Sequence, residues 1–496
     1  MIRQLAVRAD GDGEIGLGHV LRAMTVADEL ARTGTQVTYM CHSLSPWAAT
    51  QLERRGFAIR MLDLPKIDQT QDAIATCSAL AACGADAVLL DHYRLTQAWT
   101  QHVKAETGLF LAAFDDLAQD ARTVDLLIDT SPGRDTSEYT GLIPDGALCL
   151  AGPRYAALRP EFAVAPGRSQ PTGPLRVAIS MGGSDPTGAT LACLDALDGR
   201  SDISLSVILS SDAKMLAQTK ARAAQMTTPT QLLLDRTDMA DVLSLIDLVL
   251  GAGGTSALER CALGLPSVLA VLVANQTQNA QQLVKAGAAT VLPELSKDAI
   301  LAVLEPLLHD PELRANMGRH AKALCDGQGA ARVANALLAR ASHVCLRAVR
   351  PSDKTLIHSW QTAPGARQFS RNPKPPSFDE HSAWFDGRMT PMDQEPFYIV
   401  DAGGAEAGFV RLDAAQGQSH EVSILIAPSA QGRGLAKAAL GLVRLAHPMR
   451  NISAEVHPDN IASQKLFERA GYRRIDEAHF VSHGWKQIVE GQRDED

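Results

Sequence analysis

Leu5-Ala-Val-Arg-Ala-Asp-Gly-Asp-Gly-Glu-Ile-Gly-Leu-Gly-His-Val-Leu-Arg22 decides the fold of the first part of the chain. Leu5 to Val7 reads as a strand and the glycines as a loop, and Val20, Met24, Ala27 and Leu30 then recur at helical spacing. Strand, glycine loop and helix in that order open an α/β unit. Gly13, Gly16 and Gly18 let the backbone come close to a ligand, and the free amides of a helix start favour a phosphate there. His19 stands at that start. An imidazole can change its charge near neutral pH, which suits it to take a proton from water; the plainer alternative is a capping or packing histidine. The spacing is neither the dinucleotide fingerprint nor the phosphate loop of nucleoside triphosphatases, because no Gly-Lys-Ser/Thr follows.

Outward from this stretch, strands are expected near 36–41, 58–62, 87–90, 109–114 and 126–128, with helical stretches between them. Such alternation means a parallel sheet covered by helices on both faces. Asp91-His92-Tyr93 and Asp115-Asp116 follow two of these strands. The carboxyl ends of parallel strands form the binding edge, so these side chains are expected to face the crevice that His19 faces.

Residues 163–174 have a linker composition, and a second unit then begins like the first. Val177 to Ile179 lead into the loop Met181-Gly-Gly-Ser-Asp185 and a helix from Thr187 to Leu197. Two successive units predict two Rossmann-like halves facing each other across a cleft, with limits at 1–165 and 175–342. The second half contains Asp247-Leu-Val-Leu-Gly-Ala-Gly-Gly-Thr-Ser-Ala-Leu-Glu259. Gly253 and Gly254 make a tight turn, Thr255 and Ser256 offer donors to an anion, and Glu259, one turn on, can accept bonds from ribose hydroxyls. Asn275 and Gln276, in a polar loop after the next strand, can reach into the same cleft; a solvated Glu259 and a turn-forming Asn275 are the plainer alternatives.

From residue 344 the texture changes, and a third domain is expected over 344–490. Strands at 397–400, 407–412 and 421–426 read as an antiparallel meander. Gln431-Gly-Arg-Gly-Leu-Ala436 then opens a strongly helical run, where Arg433 adds a cation to the free backbone donors. A second anion site is expected there.

The chain has 496 residues, 46% hydrophobic content and a formal net charge of −9, which argue for several globular domains and against nucleic-acid or anionic-membrane surfaces. Eight scattered cysteines without a Cys-x-x-Cys pair read as small buried hydrophobes in a reducing cytoplasm, and no run of eighteen apolar residues occurs. A cytoplasmic enzyme with a small-molecule partner and no metal is the expectation.

Residues 1 to about 340 resemble the PseG-type UDP-sugar hydrolases of pseudaminic acid biosynthesis, relatives of GT-B glycosyltransferases of MurG type. Arg8-Ala-Asp10, Ile15-Gly-Leu-Gly-His19 with Arg22, Asp91-His-Tyr93, Gly152-Pro-Arg-Tyr155, Arg159-Pro-Glu-Phe162, the Met181 loop, Gly253-Gly-Thr-Ser with Glu259, and Asn275-Gln276 carry the resemblance. It implies UDP on the second half, with diphosphate at Gly253 to Ser256 and ribose near Glu259. It also implies His19 as the base that activates water against the sugar C1, with Asn275 placing water or sugar, and Arg8, Asp10 and Tyr93 as sugar contacts. The alternative for Arg8 and Asp10 is that they pair and brace the loop. Residues 345 to about 485 resemble GNAT N-acetyltransferases through Gln431, Gly434 and Ala436 and through Asn460, Ser463 and Gly471-Tyr472.

This second resemblance implies acetyl-CoA as co-substrate, held by Gln431, Gly432, Arg433, Gly434, Ala436, Asn460 and Ser463, and a 4-amino UDP-sugar as acceptor. Glu421 is then the residue to relay the amine proton through water, the plainer alternative being an exposed strand residue. Phe467 departs from the family, standing where its tyrosine general acid often lies, and Tyr472 reads as packing. Two other functions are weighed: a true glycosyltransferase, and a nucleotide-sugar binding module without turnover.

Overall fold

The computed structural model describes residues 2–12, 15–64, 68–165, 173–183, 185, 187–389, 394–415 and 419–487, with the Asn275 side chain excepted. Gly13 and residues 166–172 of the expected linker lie outside the described residues. The chain divides into two compact bodies. One comprises Met1–Ile128, Ser137–Leu150 and Ala330–Asp496, the other Asp129–Thr136 and Ala151–Gly329.

In the first body the strands β1 (Gln4–Ala9), β2 (Gln36–Cys41), β3 (Ala58–Met61), β4 (Ala87–Asp91), β5 (Phe110–Phe114), β6 (Leu126–Asp129) and β7 (Leu148–Ala151) form one sheet in the order β3-β2-β1-β4-β5-β6-β7. The pairings β1 with β2 and β4, β2 with β3, and β4 through β6 are parallel. Strand order reverses at β1 and β4, where Ala9 pairs with Asp91, and that switch point is where doubly wound sheets bind ligands. The helix Gly18–Ala31 returns from β1, and its apolar positions Val20, Met24, Ala27 and Leu30 are all buried. Sequence reading had no strand at β7.

The second body repeats the plan. Its strands β8 (Leu175–Ser180), β9 (Ile203–Leu209), β10 (Thr230–Leu234), β11 (Leu248–Ala252), β12 (Ser267–Ala270) and β13 (Thr290–Val291) are parallel in the order β10-β9-β8-β11-β12-β13. Near-continuous apolar strands such as Leu248-Val-Leu suit a sheet buried on both faces. The expected α/β architecture of two Rossmann-like halves is present.

The third sheet belongs to the first body and is mixed. It orders β14 (Val344–Ala348), β15 (Phe397–Ala402), β16 (Glu406–Ala414), β17 (Ser419–Ile426), β18 (Asn451–Glu455), β19 (Arg473–Arg474) and β20 (His479–Ser482) as β14-β15-β16-β17-β18-β20-β19. The expected meander runs antiparallel from β14 to β17. Between β17 and β18 the pairing is parallel and stops at Glu421 and Ser453, so Val422 to Ile426 have no strand partner on that side among the described residues.

This sheet's helices pack on the end of the helix Gly18–Ala31. Trp485, fully buried, donates to Glu29, and Lys437 Nζ donates to Gly34 O at 3.0 Å; Asn335, on the separate helix Gly329–Ser342, donates to Leu442 O at 3.2 Å. A side chain on Gly34 would strike the Arg469 carbonyl, and one on Gly471 the Arg32 carbonyl; both glycines have positive φ (+80° and +81°).

The eight cysteines form no disulfide with one another. Cys41, Cys193, Cys261 and Cys325 are buried as expected, whereas Cys77, Cys83 and Cys149 are half-buried and Cys345 is exposed on the edge strand β14, which corrects the expectation for these four. Among the described residues no helix is long and apolar enough to cross a membrane.

Candidate active sites

Gly16, at φ +84°, turns the chain so that the helix starts at Gly18, and the amides of Gly18, His19 and Val20 meet no backbone acceptor among the described residues. His19 Nδ1 lies 2.6 Å from Asp91 Oδ1 at the end of β4. Burial opposes charge on Asp91, but the Arg22 guanidinium and hydrogen bonds from Arg22 and His19 hold its carboxyl below the usual carboxylate range. An ionised carboxylate only accepts, so Nδ1 carries a proton and donates; in the neutral imidazole Nε2 is then the nitrogen with the lone pair. No protein group meets Nε2 among the described residues. The His19 side chain is 7% exposed, edge-on to the Tyr93 ring at 4.4 Å.

Arg22 fixes this pair from behind. It grips Asp91 through Nε (2.5 Å) and Nη2 (2.8 Å) and Asp116 through Nη1 (2.7 Å), and it lies over the Phe114 ring. Tyr93, 46% exposed, donates its hydroxyl to Asp116 Oδ2 at 2.9 Å. Sequence reading put Asp91 at a strand end but did not pair it with His19. It placed Asp116 at the same crevice, after β5, without naming Arg22 or Tyr93 as its partners.

Arg8 and Asp10 require a correction. Both are fully buried; Arg8 donates to Asp10 and to Asp72, which also accepts the Trp99 indole N–H at 2.7 Å. Asp10 further accepts the amides of His42 and Ser43, and His92 Nε2 lies 3.3 Å away. The side chains of Arg8 and Asp10 are thus turned inward and paired, which favours the alternative that they brace the loop over a contact with sugar. The cause is local: Asp10 directly follows β1, and residues two apart in extended chain share a face with each other, here Arg8 and Asp10.

In the second body, β11 ends in the turn Gly253-Gly254 and the short helix Ser256–Ala262. The amides of Gly254, Thr255 and Ser256 have no backbone acceptor among the described residues. Thr255 is exposed and Ser256 partly buried. The next loop packs on this turn: a Cβ on Gly254 would lie 3.5 Å from Gln276 Nε2, while Gln276 Oε1 accepts the Leu272 amide at 3.0 Å. Gln276 is therefore brought to the glycine turn. Asn275 falls in the same helical turn Ala274–Gln276, its side chain outside the described residues. Burial raises the Glu259 carboxyl above its ordinary value, with Arg159 and Arg260 opposing, so this carboxyl retains a proton more readily than a solvated one.

On the third sheet, Gly432 (φ +74°) and Gly434 (φ +76°) shape the loop before the twelve-residue helix Leu435–Ala446. No backbone acceptor meets the amides of residues 432–436 among the described residues, and Arg433 is exposed beside them. Gln431 turns back to donate to Ile426 O at 3.2 Å. Asn460 caps the helix Ile461–Arg469 by accepting the Ser463 amide at 3.1 Å. Glu421 sits where the β17–β18 pairing ends; Arg371 donates to both its oxygens at 3.0 Å and also grips Glu455 on β18. Sequence reading found neither Arg371 nor Glu455. Phe467 and Tyr472 are buried edge to face at 5.1 Å, and Phe480 stacks on Phe467, so Tyr472 packs as expected.

Residues 181–335 match the glycosyltransferase family 28 C-terminal domain, and residues 343–473 match the acetyltransferase (GNAT) domain. The chain joins a family 28 domain to a GNAT domain. The GNAT domain implies use of acetyl-CoA, and the unpaired amides 432–436 with Arg433 fit its pyrophosphate. The family 28 domain implies a nucleotide-sugar substrate. Uncharacterized protein MJ1062 of Methanocaldococcus jannaschii is 22% identical over 495 residues, covering 95% of this chain and 97% of that protein. The UDP-2,4-diacetamido-2,4,6-trideoxy-beta-L-altropyranose hydrolase of Campylobacter jejuni is 25% identical over 156 residues, 31% of this chain and 52% of the hydrolase. The crystal structure of Acinetobacter baumannii MurG shares the fold over 68% of this chain and 99% of its own, at 16% identity and a TM-score of 0.52.

Proposed function

We propose that the chain is a bifunctional nucleotide-sugar enzyme of pseudaminic acid type, with functional modules at 1–165, 175–342 and 344–490. Its first activity is hydrolysis of a UDP-2,4-diacetamido-2,4,6-trideoxy sugar to free sugar and UDP. The observation that carries this reading is the His19–Asp91 pair, because it fixes the tautomer whose Nε2 can accept a proton. Water attacks C1 with inversion and gives its proton to His19 Nε2, and the C1–O bond breaks with its electron pair leaving on UDP. The diphosphate is assigned to the turn at Gly253, on the amides of Gly254 to Ser256, the ribose to Glu259, and sugar contacts to Tyr93, Asn275 and Gln276. Arg8 and Asp10 act only by holding the loop before His19.

The second activity is acetylation of the 4-amino group of the UDP-sugar precursor. Its amine attacks the thioester carbonyl, Glu421 relays the departing amine proton, and the CoA thiolate is reprotonated from water, since Phe467 has no proton to give. Gln431, Gly432, Arg433, Gly434, Ala436, Asn460 and Ser463 are assigned to the CoA chain.

The match to a glycosyltransferase family favours a second reading, in which the sugar passes to an acceptor other than water. NMR of the protein with acetyl-CoA and UDP-diamino sugars separates them. Release of free sugar and UDP without added acceptor is the expected result; turnover that requires an acceptor overturns hydrolysis in favour of transfer.

A further inference from the structure

Beneath the glycine turn of the second body lies a guanidinium without a carboxylate. Arg260 is 2% exposed, donates Nη2 to Ala252 O at 2.7 Å and Nη1 to Ser256 Oγ at 3.2 Å, and its Nε meets no acceptor. Glu259 acts on it through its field alone, and among the described residues no carboxylate forms an ion pair with it. Room for the group comes from Gly251. A Cβ there would lie 3.1 Å from Arg260 Nη1 and 2.9 Å from Ser180 O, and Gly251 pairs with Ser180 where β11 and β8 end. The cation therefore sits at the reversal of strand order in this sheet, the place where doubly wound sheets meet their ligands.

Buried charges are ordinarily paired, because an unpaired one forfeits its hydration without return. A chain that keeps a cation there without its own counter-ion is arranged to receive one from outside. Burial pulls the guanidinium down to about 10, which still leaves it charged at neutral pH. The bond to Ser256 adds direction. Because Ser256 Oγ accepts from Arg260, its own O–H is left to donate elsewhere, on the turn where the amides of Gly254 to Ser256 are unpaired.

We propose that Arg260 is the positioning residue by which this turn selects the diphosphate of a nucleoside diphosphate, supplying charge from below and orienting the Ser256 hydroxyl as a donor. The proposal rests on the reading that the turn holds the UDP moiety. A purely structural Arg260, stapling strand end to helix, would serve uridine, UMP and UDP alike.

Titration calorimetry of the full chain with these three compounds tests it. Arg260→Met is expected to weaken UDP at least about tenfold, UMP less and uridine not at all, and Arg260→Lys to recover most of the UDP affinity. Equal losses for all three compounds, or UDP binding that survives Arg260→Met, overturn the proposal. If the wild-type chain binds no UDP, the reading of the turn falls first, which separates the two failures. Should Arg260→Met not fold, Arg260→Lys and Ser256→Ala carry the test: Ser256→Ala must weaken UDP more than uridine, and an equal effect overturns the proposal.

Discussion

Trp485 donates its indole Nε1–H to Glu29 Oε1 at 2.7 Å, across 456 residues of sequence. Glu29 also holds Arg32 at 2.7 Å, and Arg32 donates to His483 O at 3.0 Å. This seam closes the far end of the helix whose first turn carries His19. Trp485→Phe keeps most of the shape but leaves the buried Glu29 carboxylate short of a donor, at a cost of about 1–3 kcal/mol. Differential scanning calorimetry should show a melting midpoint lowered by several degrees, with the first half and the GNAT domain melting together. A shift confined to a separate GNAT transition would contradict the shared seam.

His19→Asn removes the lone pair assigned to water, and UDP release should fall by about two to four orders of magnitude while acetylation persists. Asp91→Asn offers Nδ1 no ionised acceptor, which frees the opposite tautomer, so hydrolysis should drop at least about tenfold with UDP affinity unchanged. Full hydrolysis by either variant would reject the assignment.

Gly434 begins the GNAT helix at φ +76°, where a side chain is strained and a carboxylate would face the phosphates. Gly434→Glu should abolish acetyl-CoA binding in a fluorescence titration and spare UDP binding.

The Tyr398 hydroxyl and His447 Nε2 share a hydrogen bond at 2.8 Å. Burial, then the charges of Arg450 and His420, pull this imidazole from its ordinary 6.5 down to about 4. Between these values the unfolded chain binds more protons than the folded one, so stability falls as pH drops from about 6.5 to about 4. Urea midpoints at pH 7 and pH 5 should differ, and His447→Gln should narrow the difference.

Much of the α/β plan was legible because apolar runs and glycine punctuation are local signals: Gln36–Cys41 and the helix after Gly18 are set by residues adjacent in sequence. Pairings set by tertiary distance were not. His19 with Asp91 spans 72 residues, Arg371 with Glu421 spans 50, and Trp485 with Glu29 leaves no trace in either segment. Arg8 and Asp10 show the opposite case, since their spacing on a strand already favoured mutual pairing, and Asp72 from a distant helix completed their burial.

Gly471 and Gly34 come so close to opposing carbonyls that neither tolerates a methyl group. Heritable change on the acetylating side is thereby tethered to change in the first thirty-odd residues, and recombination that swapped one without the other would mate ill-fitting surfaces. Chimeras built from this chain should exchange both ends as a set.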